Sequence, residues 1–376
     1  MSKDGLRILI INYEFPPLGG GGASVTQELA AGLVSKGLDV DVVTMGYKGL
    51  PDYEVIDGIN VYRVKCIRKH LEICRTHEML SYVISCIFFL RGFLKKEEYD
   101  ICHCHFIIPS GIIAAWLKRK YGIKYIITAH GSDVPGYNPD RFTLQHKFTG
   151  PLIKRICDNA ETITTPSGYL SNLLKKNIRD YNVKVIPNGS RDYKIEGIKK
   201  ENIIMTSGRL LPRKGYHLLI NSFRRMNADG WELYIVGDGP ERATLERIAG
   251  DDNKIIFTGW LDNTEREYCE IMNRAKIFSL LSTVESQGIV FIEAMSCGCA
   301  IISTNYTACV ETVTEDVGYR VNTDEEENVT DALVRLISKD AHIQELSKNA
   351  RKRYQDNYRY EMIVEKYISL FREYSE

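Results

Sequence analysis

Two glutamates eight positions apart, Glu285 and Glu293, flank a glycine-containing turn and an apolar run in STVESQGIVFIEAMSCGCAIIST, residues 282–304. The hydrophobic pattern there reads as strand, loop, helix, strand. It puts Glu285 on a loop at a strand's carboxyl end and Glu293 about two turns into the helix. Ligands of open α/β sheets bind at such strand ends, and helix N-terminal amides there attract anions. Ser286, Gly288, Ile289 and Val290, in the turn and at the start of that helix, belong to the same candidate binding segment. A carboxylate lining a cleft needs donors, and the hydroxyls of a sugar or a ribose supply them. An isolated pair of acids on a helix face is ordinarily solvated. The surrounding pattern ES-x-G-x-V-x-x-EAM-x-CG is what makes this pair specific.

A second constellation suits phosphate. In GRLLPRKG, residues 208–215, Gly208 ends a strand, and Arg209 and Lys214 stand five apart across a proline-containing loop. A guanidinium and an ammonium converging on a diphosphate would stabilise it as a leaving group without a metal. Four glycines in EFPPLGGGGAS, residues 14–24, among them Gly20, Gly21 and Gly22, follow the first strand. They would let backbone approach a ligand ahead of a helix expected from about Ser24, with a flexible turn as the alternative. TAHGSDVPGY, residues 128–137, places His130 and Asp133 at another strand's carboxyl end, where His130 either lines the cleft or is a core histidine.

Two patterns that suggest metal are set aside. In HCH, alternation sends His103 and His105 to one face and Cys102 and Cys104 to the other, and two ligands without a third make a weak site. Asp39-Val40-Asp41 lies at a strand's entry, away from the ligand-binding ends. No metal site is expected.

The elements that must hold these residues alternate strand and helix twice over. Strands are expected at 7–12, 39–44, 59–64, 100–106, 124–130, 162–166 and 183–189, and again at 202–208, 232–239, 255–259, 277–282 and 300–304. Such β-α-β repetition means parallel sheets covered on both faces. The polar stretch 190–202 reads as the linker, and 361–374 as a last amphipathic helix. At 376 residues, with 44% apolar and 26% charged content, the chain suits a soluble globular protein of two domains. Net charge is zero, yet Lys and Arg number 24 against 18 acids through Ser190, and 25 against 31 after it. The basic half could meet an anionic acceptor or a membrane surface. The ten scattered cysteines lack any C-x-x-C pair and fit reduced thiols of a cytoplasmic protein. The most apolar stretch, MLSYVISCIFFL at 79–90, is too short to span a bilayer of about 30 Å. It reads as a core helix, or as a surface-docking helix helped by Arg91, Lys95 and Lys96.

The E-x7-E element, GR-x4-KG before its helix, IVGDGPER and FTGWL resemble the retaining glycosyltransferases of family 4, and the resemblance runs over nearly the whole chain. It implies a GT-B fold of two facing Rossmann-like domains, 1–190 on the acceptor side and 191–357 for the nucleotide sugar. A C-terminal helix of about 358–376 would cross back to the first. It implies transfer of a hexose or N-acetylhexosamine from a nucleoside-diphosphate sugar, uridine favoured over guanosine, to a sugar- or lipid-linked acceptor hydroxyl. It further implies no cofactor, no nucleic acid, and a place in cell-surface polysaccharide or glycoconjugate synthesis. Arg209 and Lys214 would hold the diphosphate, Glu285 the sugar hydroxyls and Glu293 the ribose, while His130 would line the reacting centre. A hydrolysing nucleotide-sugar epimerase and a non-catalytic sugar-nucleotide-binding subunit are the alternatives. Two departures stand out: Gln287 replaces a common Phe, and Thr307 and Ala308 replace two glycines between Thr304 and Glu311. Their Cβ atoms make a left-handed backbone less accessible.

Overall fold

The structure, a computed structural model, describes residues 5–138 and 143–375, the side chains of 143–148 excepted. The chain forms two compact units, Met1–Asn188 together with Tyr360–Glu376, and Gly189–Arg359. The first is built on strands β1 (Arg7–Ile11), β2 (Asp39–Met45), β3 (Tyr53–Ile56), β4 (Ile59–Val64), β5 (Ile101–His105), β6 (Tyr125–Thr128), β7 (Thr162–Thr165) and β8 (Val183–Val185). Their order is β3-β4-β2-β1-β5-β6-β7-β8, parallel except for the β3–β4 hairpin. Ile8, Leu9, Ile10 and Ile11 are all fully buried, as a strand covered on both faces requires. Their alternation splits them between two cores. Leu9 and Ile11 join Tyr82, Cys86 and Leu90 of the helix Thr76–Phe93. Ile8 and Ile10 join Leu29 and Leu33 of the helix Gly21–Ser35, with Val364 and Phe371 of the helix Tyr360–Ser375. The C-terminal helix is thus part of the first unit's core. At its crossing with the first helix, a Cβ on Gly32 would stand 2.4 Å from Val364 Cγ2, so only glycine permits the approach.

The second unit carries β9 (Glu201–Ser207), β10 (Glu232–Val236), β11 (Ile255–Gly259), β12 (Ala275–Leu280), β13 (Ala300–Thr304) and β14 (Gly318–Val321). Their order is β11-β10-β9-β12-β13-β14, all parallel. Counted within the unit this is 3-2-1-4-5-6, the doubly wound arrangement whose ligand crevice opens between the first and fourth strands. Here those are β9 and β12. Two strands escaped the sequence reading. The β3–β4 hairpin turns on Asp57 and Gly58, both at positive φ (52° and 80°), a two-residue turn of the kind Asp-Gly favours. The edge strand β14 is four residues long. The helices Gly168–Asn177 and Asp340–Asn357 were likewise unforeseen.

All five residues of β5 are buried. Cys102 and Cys104 point into the core beside the helix Thr76–Phe93, while His103 lies 5.3 Å, ring to ring, from both Tyr367 and Phe371. His103 Nε2 bonds Thr128 Oγ1 at 2.7 Å, and Thr128 in turn meets Thr164 Oγ1 at 2.7 Å and the Tyr367 hydroxyl at 3.2 Å. His105 Nδ1 shares a proton with His130 Nε2 at 2.9 Å. Burial pulls His103 down to about 3 and His130 to about 4. It also holds His105 well below its ordinary value, with His103 and His130 adding to the effect. All ten cysteines are unpaired.

Three imidazoles that stay neutral when folded set the sign of an acid response. Below about pH 6.5 the unfolded chain binds protons that the folded one refuses, so stability is complete above that pH and falls beneath it. Between pH 7.5 and 5.5 the loss should approach about 4 kcal/mol, roughly 1.4 per histidine. Urea unfolding across that range should show it, and His103→Gln should remove about a third of the pH dependence.

Candidate functional site

The loops leaving β9 and β12 are tied to each other at the crevice between those strands. Gly208 follows β9 and donates its N–H to Val236 at 3.0 Å, and Arg209 comes next, half-buried. A 3-10 turn, Pro212–Lys214, then brings the chain to Gly215 and the helix Tyr216–Met226. Gly215 is left-handed at φ 70°, and a Cβ there would come within 2.4 Å of Leu281 O, so the loop lies directly on the end of β12. Thr283 N–H bonds Arg213 O at 3.0 Å. Lys214 Nζ reaches Glu285 Oε1 at 2.5 Å, with the two side chains 19% and 11% exposed. The pairing of these two was not expected from sequence, which gave them separate ligand groups.

Gly288, buried and at φ 82°, caps the helix Ile289–Ser296, so Ile289 and Val290 present first-turn amides beside Ser286. Glu293 is the fifth residue of this helix, just over one turn in rather than two. Glu293 is 4% exposed. Its carboxylate accepts from the Tyr268 hydroxyl at 2.6 Å and from Asn263 Nδ2 at 3.2 Å. Burial raises its pKa, against the pull of those donors and of the nearby Arg191 cation. Tyr268, Asn263 and Arg191 were not singled out from sequence; they lie on other elements, and only the fold gathers them. Tyr216 was missed too. Its hydroxyl is buried without a partner among the described residues, 3.2 Å from where a Gly208 Cβ would be. Burial first, then the Glu285 charge, raises its pKa.

In the first unit the corresponding crevice lies between β1 and β5. The helix there begins at Gly21 and not near Ser24, so Gly21 and Gly22 are its first turn and Gly20 its N-cap. A Cβ on Gly22 would press within 2.7 Å of the Phe106 ring. Phe106, itself left-handed at φ 70°, packs on Tyr13 at 5.1 Å and on His130 at 4.5 Å. A bulky residue at positive φ stores strain of the kind that clusters at functional sites. His130 is half-buried against this cluster. Asp133, expected as a ligand contact, also has a structural part in its own loop. Its carboxylate takes the backbone N–H groups of Ile107 at 2.8 Å, Gly131 at 2.9 Å and His130 at 3.0 Å, which fixes the loop carrying His130. Asp41 is also engaged, by Arg7, Asn60 and Tyr99.

The loop whose two glycines are replaced adopts a left-handed residue regardless: Thr307 sits at φ 52°, while Ala308 is ordinary at φ −73°. The Thr307 hydroxyl accepts the Glu285 N–H at 3.3 Å. Thr307→Val keeps the strain and removes the acceptor, and should cost about 1–3 kcal/mol. Thr307→Gly loses the same bond but relieves a comparable strain, so its thermal midpoint should stay nearer the parent's. Melting both variants tests this.

Comparison with known proteins fits this geometry. The family model described as Glycosyl transferases group 1 matches residues 190–353, and that of Glycosyltransferase Family 4 matches residues 19–190. N-acetyl-alpha-D-glucosaminyl L-malate synthase of Bacillus anthracis is 24% identical, over 95% of this chain and 94% of its own. Among solved structures, sucrose-phosphate synthase from Thermosynechococcus elongatus superposes with a TM-score of 0.83 at 22% identity, covering 98% of each chain. The Anabaena protein HepE, solved in complex with UDP and glucose, superposes with a TM-score of 0.77 at 16% identity, over 98% of this chain and 100% of its own. With two matched models that together run from residue 19 to 353 and a GT-B fold to carry them, the chain belongs to the family 4 glycosyltransferases.

Proposed function

We propose that this glycosyltransferase moves a hexose or N-acetylhexosamine from a nucleoside-diphosphate sugar, UDP before GDP, to an acceptor hydroxyl with retention of configuration. The observation that carries the reading is the crevice between β9 and β12, where Lys214 and Glu285 meet at 2.5 Å and the loop bearing Lys214 also carries Arg209. A diphosphate entering there finds the cations, and a hexose attached to it finds the carboxylate. The UDP and glucose named for HepE support the choice of donor.

In this reading Arg209 and Lys214 stabilise the departing diphosphate, and the first-turn amides of Ile289 and Val290 add to that field. Glu285 takes hydroxyls of the sugar. Glu293 uses the lone pairs left beside Tyr268 and Asn263 to accept from the ribose. His130, neutral at physiological pH because burial pulls it to about 4, lines the sugar as a hydrogen-bonding group and not as a cation. Gly20, Gly21 and Gly22 open the acceptor side. The departing phosphate oxygen takes the acceptor's proton on the same face from which it leaves, so the protein positions and stabilises without a covalent nucleophile. Two cations on the diphosphate do the work otherwise given to a metal. Among the described residues no group of three or more His, Cys, Asp or Glu is placed to hold one. The acceptor is sugar- or lipid-linked, in polysaccharide or glycoconjugate synthesis, reached from the cytoplasmic side with peripheral membrane contact through the basic first unit. No helix among the described residues is long and apolar enough to cross a membrane.

Arg209→Ala and Lys214→Ala should each lower turnover about a hundredfold or more; turnover near the parent's in both would overturn the assignment. Transfer should persist in excess EDTA, whereas loss with rescue by Mg or Mn would reveal a metal step. The two glutamates separate by calorimetry. Glu293→Gln should weaken binding of bare nucleoside diphosphate by about 1.5–3 kcal/mol, while Glu285→Gln should spare it and depress turnover.

A further inference from the structure

The helix Thr76–Phe93 is apolar on two faces, and the fold covers only one of them. Tyr82, Val83, Cys86 and Leu90 are buried against the sheet. On the other side Leu80, Ile84 and Phe88, spaced four apart and so in line along the helix, are 60%, 50% and 66% exposed. A surface helix normally turns polar residues outward, and one that is apolar all round is a helix with something on both sides.

The segment before it widens the same surface. Ile67 and Ile73 are 60% and 42% exposed, and Leu71 is 40% exposed. Two hydrogen bonds pin this segment to the helix's first turns, Ile67 N–H to Ser81 Oγ at 2.9 Å and Lys69 N–H to Glu78 Oε1 at 2.8 Å. A third, from Gly19 N–H to Leu71 O at 2.9 Å, joins it to the glycine-rich loop. The apolar surface therefore adjoins the loop assigned to the acceptor.

Charge and aromatic placement decide what covers it. From Lys65 to Glu98 the chain holds seven Lys and Arg against Glu72, Glu78, Glu97 and Glu98; the Arg68 side chain and Glu78 are fully buried, and Glu97 is paired with Arg7. Arg91 sits over the Phe88 ring at 5.4 Å and near Trp116 at 6.0 Å, and Lys120 lies over Trp116 at 5.5 Å and Tyr121 at 5.2 Å. Lys95 and Lys96 follow at the helix's end, both exposed. An aliphatic stripe bordered by Trp, Tyr and cations that can extend outward matches the boundary between acyl chains and anionic headgroups. Interfaces between proteins instead favour a core depleted of Lys.

We infer that this surface docks on an anionic phospholipid bilayer, with Leu80, Ile84 and Phe88 entering the headgroup–acyl boundary and Arg91, Lys95 and Lys96 meeting phosphates. The inference deepens the proposed membrane-side acceptor and rests on that reading, but its test measures vesicle binding and does not depend on turnover. Docking would bring the glycine-rich loop to the lipid surface, so a lipid-linked acceptor would not have to leave it.

The experiment is sedimentation of the full chain with vesicles of phosphatidylcholine alone, or with about a third phosphatidylglycerol. The parent should partition to the anionic vesicles, more weakly at high salt. Leu80→Ser/Ile84→Ser/Phe88→Ser should lose about tenfold or more of that partitioning. Arg91→Gln/Lys95→Gln/Lys96→Gln should lose the preference for anionic lipid. Both substitute exposed positions, so an unchanged thermal midpoint and unchanged transfer to a water-soluble acceptor are expected. Absence of binding by the parent, or equal binding by the serine variant, overturns the inference. So does self-association in solution that the serine variant abolishes while the parent ignores vesicles. Loss of transfer in the parent with vesicle binding intact would count against the function and leave the docking surface standing.

Discussion

The contact between Lys214 and Glu285 depends on one topological fact: β9 and β12 are neighbours although they are not consecutive in the chain. Because they are neighbours, the loops after both strands open on one crevice, and Gly215 lets one lie against the end of the other. The two side chains are only 19% and 11% exposed, so the pair is largely shielded from solvent, and removing one partner would leave the other charge costly to keep there. A ligand phosphate entering the crevice would give the ammonium a replacement anion and free the carboxylate for other donors. Glu293 is the contrast, since it is anchored by Tyr268 and Asn263 and must add a ligand to contacts it keeps.

The same topology recurs in the first unit with different chemistry. Between β1 and β5 stand Phe106, Tyr13 and His130, with His105 stacked on His130 and His103 tilted against His105. These groups are aromatic or neutral, because burial denies the imidazoles a proton. A neutral imidazole can donate or accept, whereas a cation could only donate. Asp133 holds three backbone amides and so fixes where His130 stands.

Much of this was legible in the sequence because the two signals that matter are local. Runs such as RILII and IIMTS are apolar on both faces and read as buried parallel strands, and the order of loops after them located Gly208, Arg209, Lys214, Glu285 and Glu293. What stayed hidden is either short or non-local. The strand β14 has four residues and no periodic pattern to detect, and the Asp57-Gly58 turn was a readable hairpin signal that went unused. The first helix starts three residues early, at Gly21 and not near Ser24, since glycines mark no side-chain cap. Tyr268 and Asn263 come within reach of Glu293 only after the sheet forms, and nothing in their own neighbourhood announces it.

Thr307 shows how far a motif departure can be read. Replacement of two glycines suggested that the loop's backbone would change, because Thr resists positive φ. The structure keeps the left-handed residue and changes the chemistry: at φ 52° Thr307 accepts the strain and offers an oxygen to the Glu285 N–H, which a glycine could not. A β-branched residue in that region costs on the order of 1–3 kcal/mol, and a neutral hydrogen bond returns about 1. The exchange is close to even for stability, so its consequence is geometric. Glu285 is held by its own backbone as well as through Lys214, at the point where its carboxylate orientation decides what it can bind.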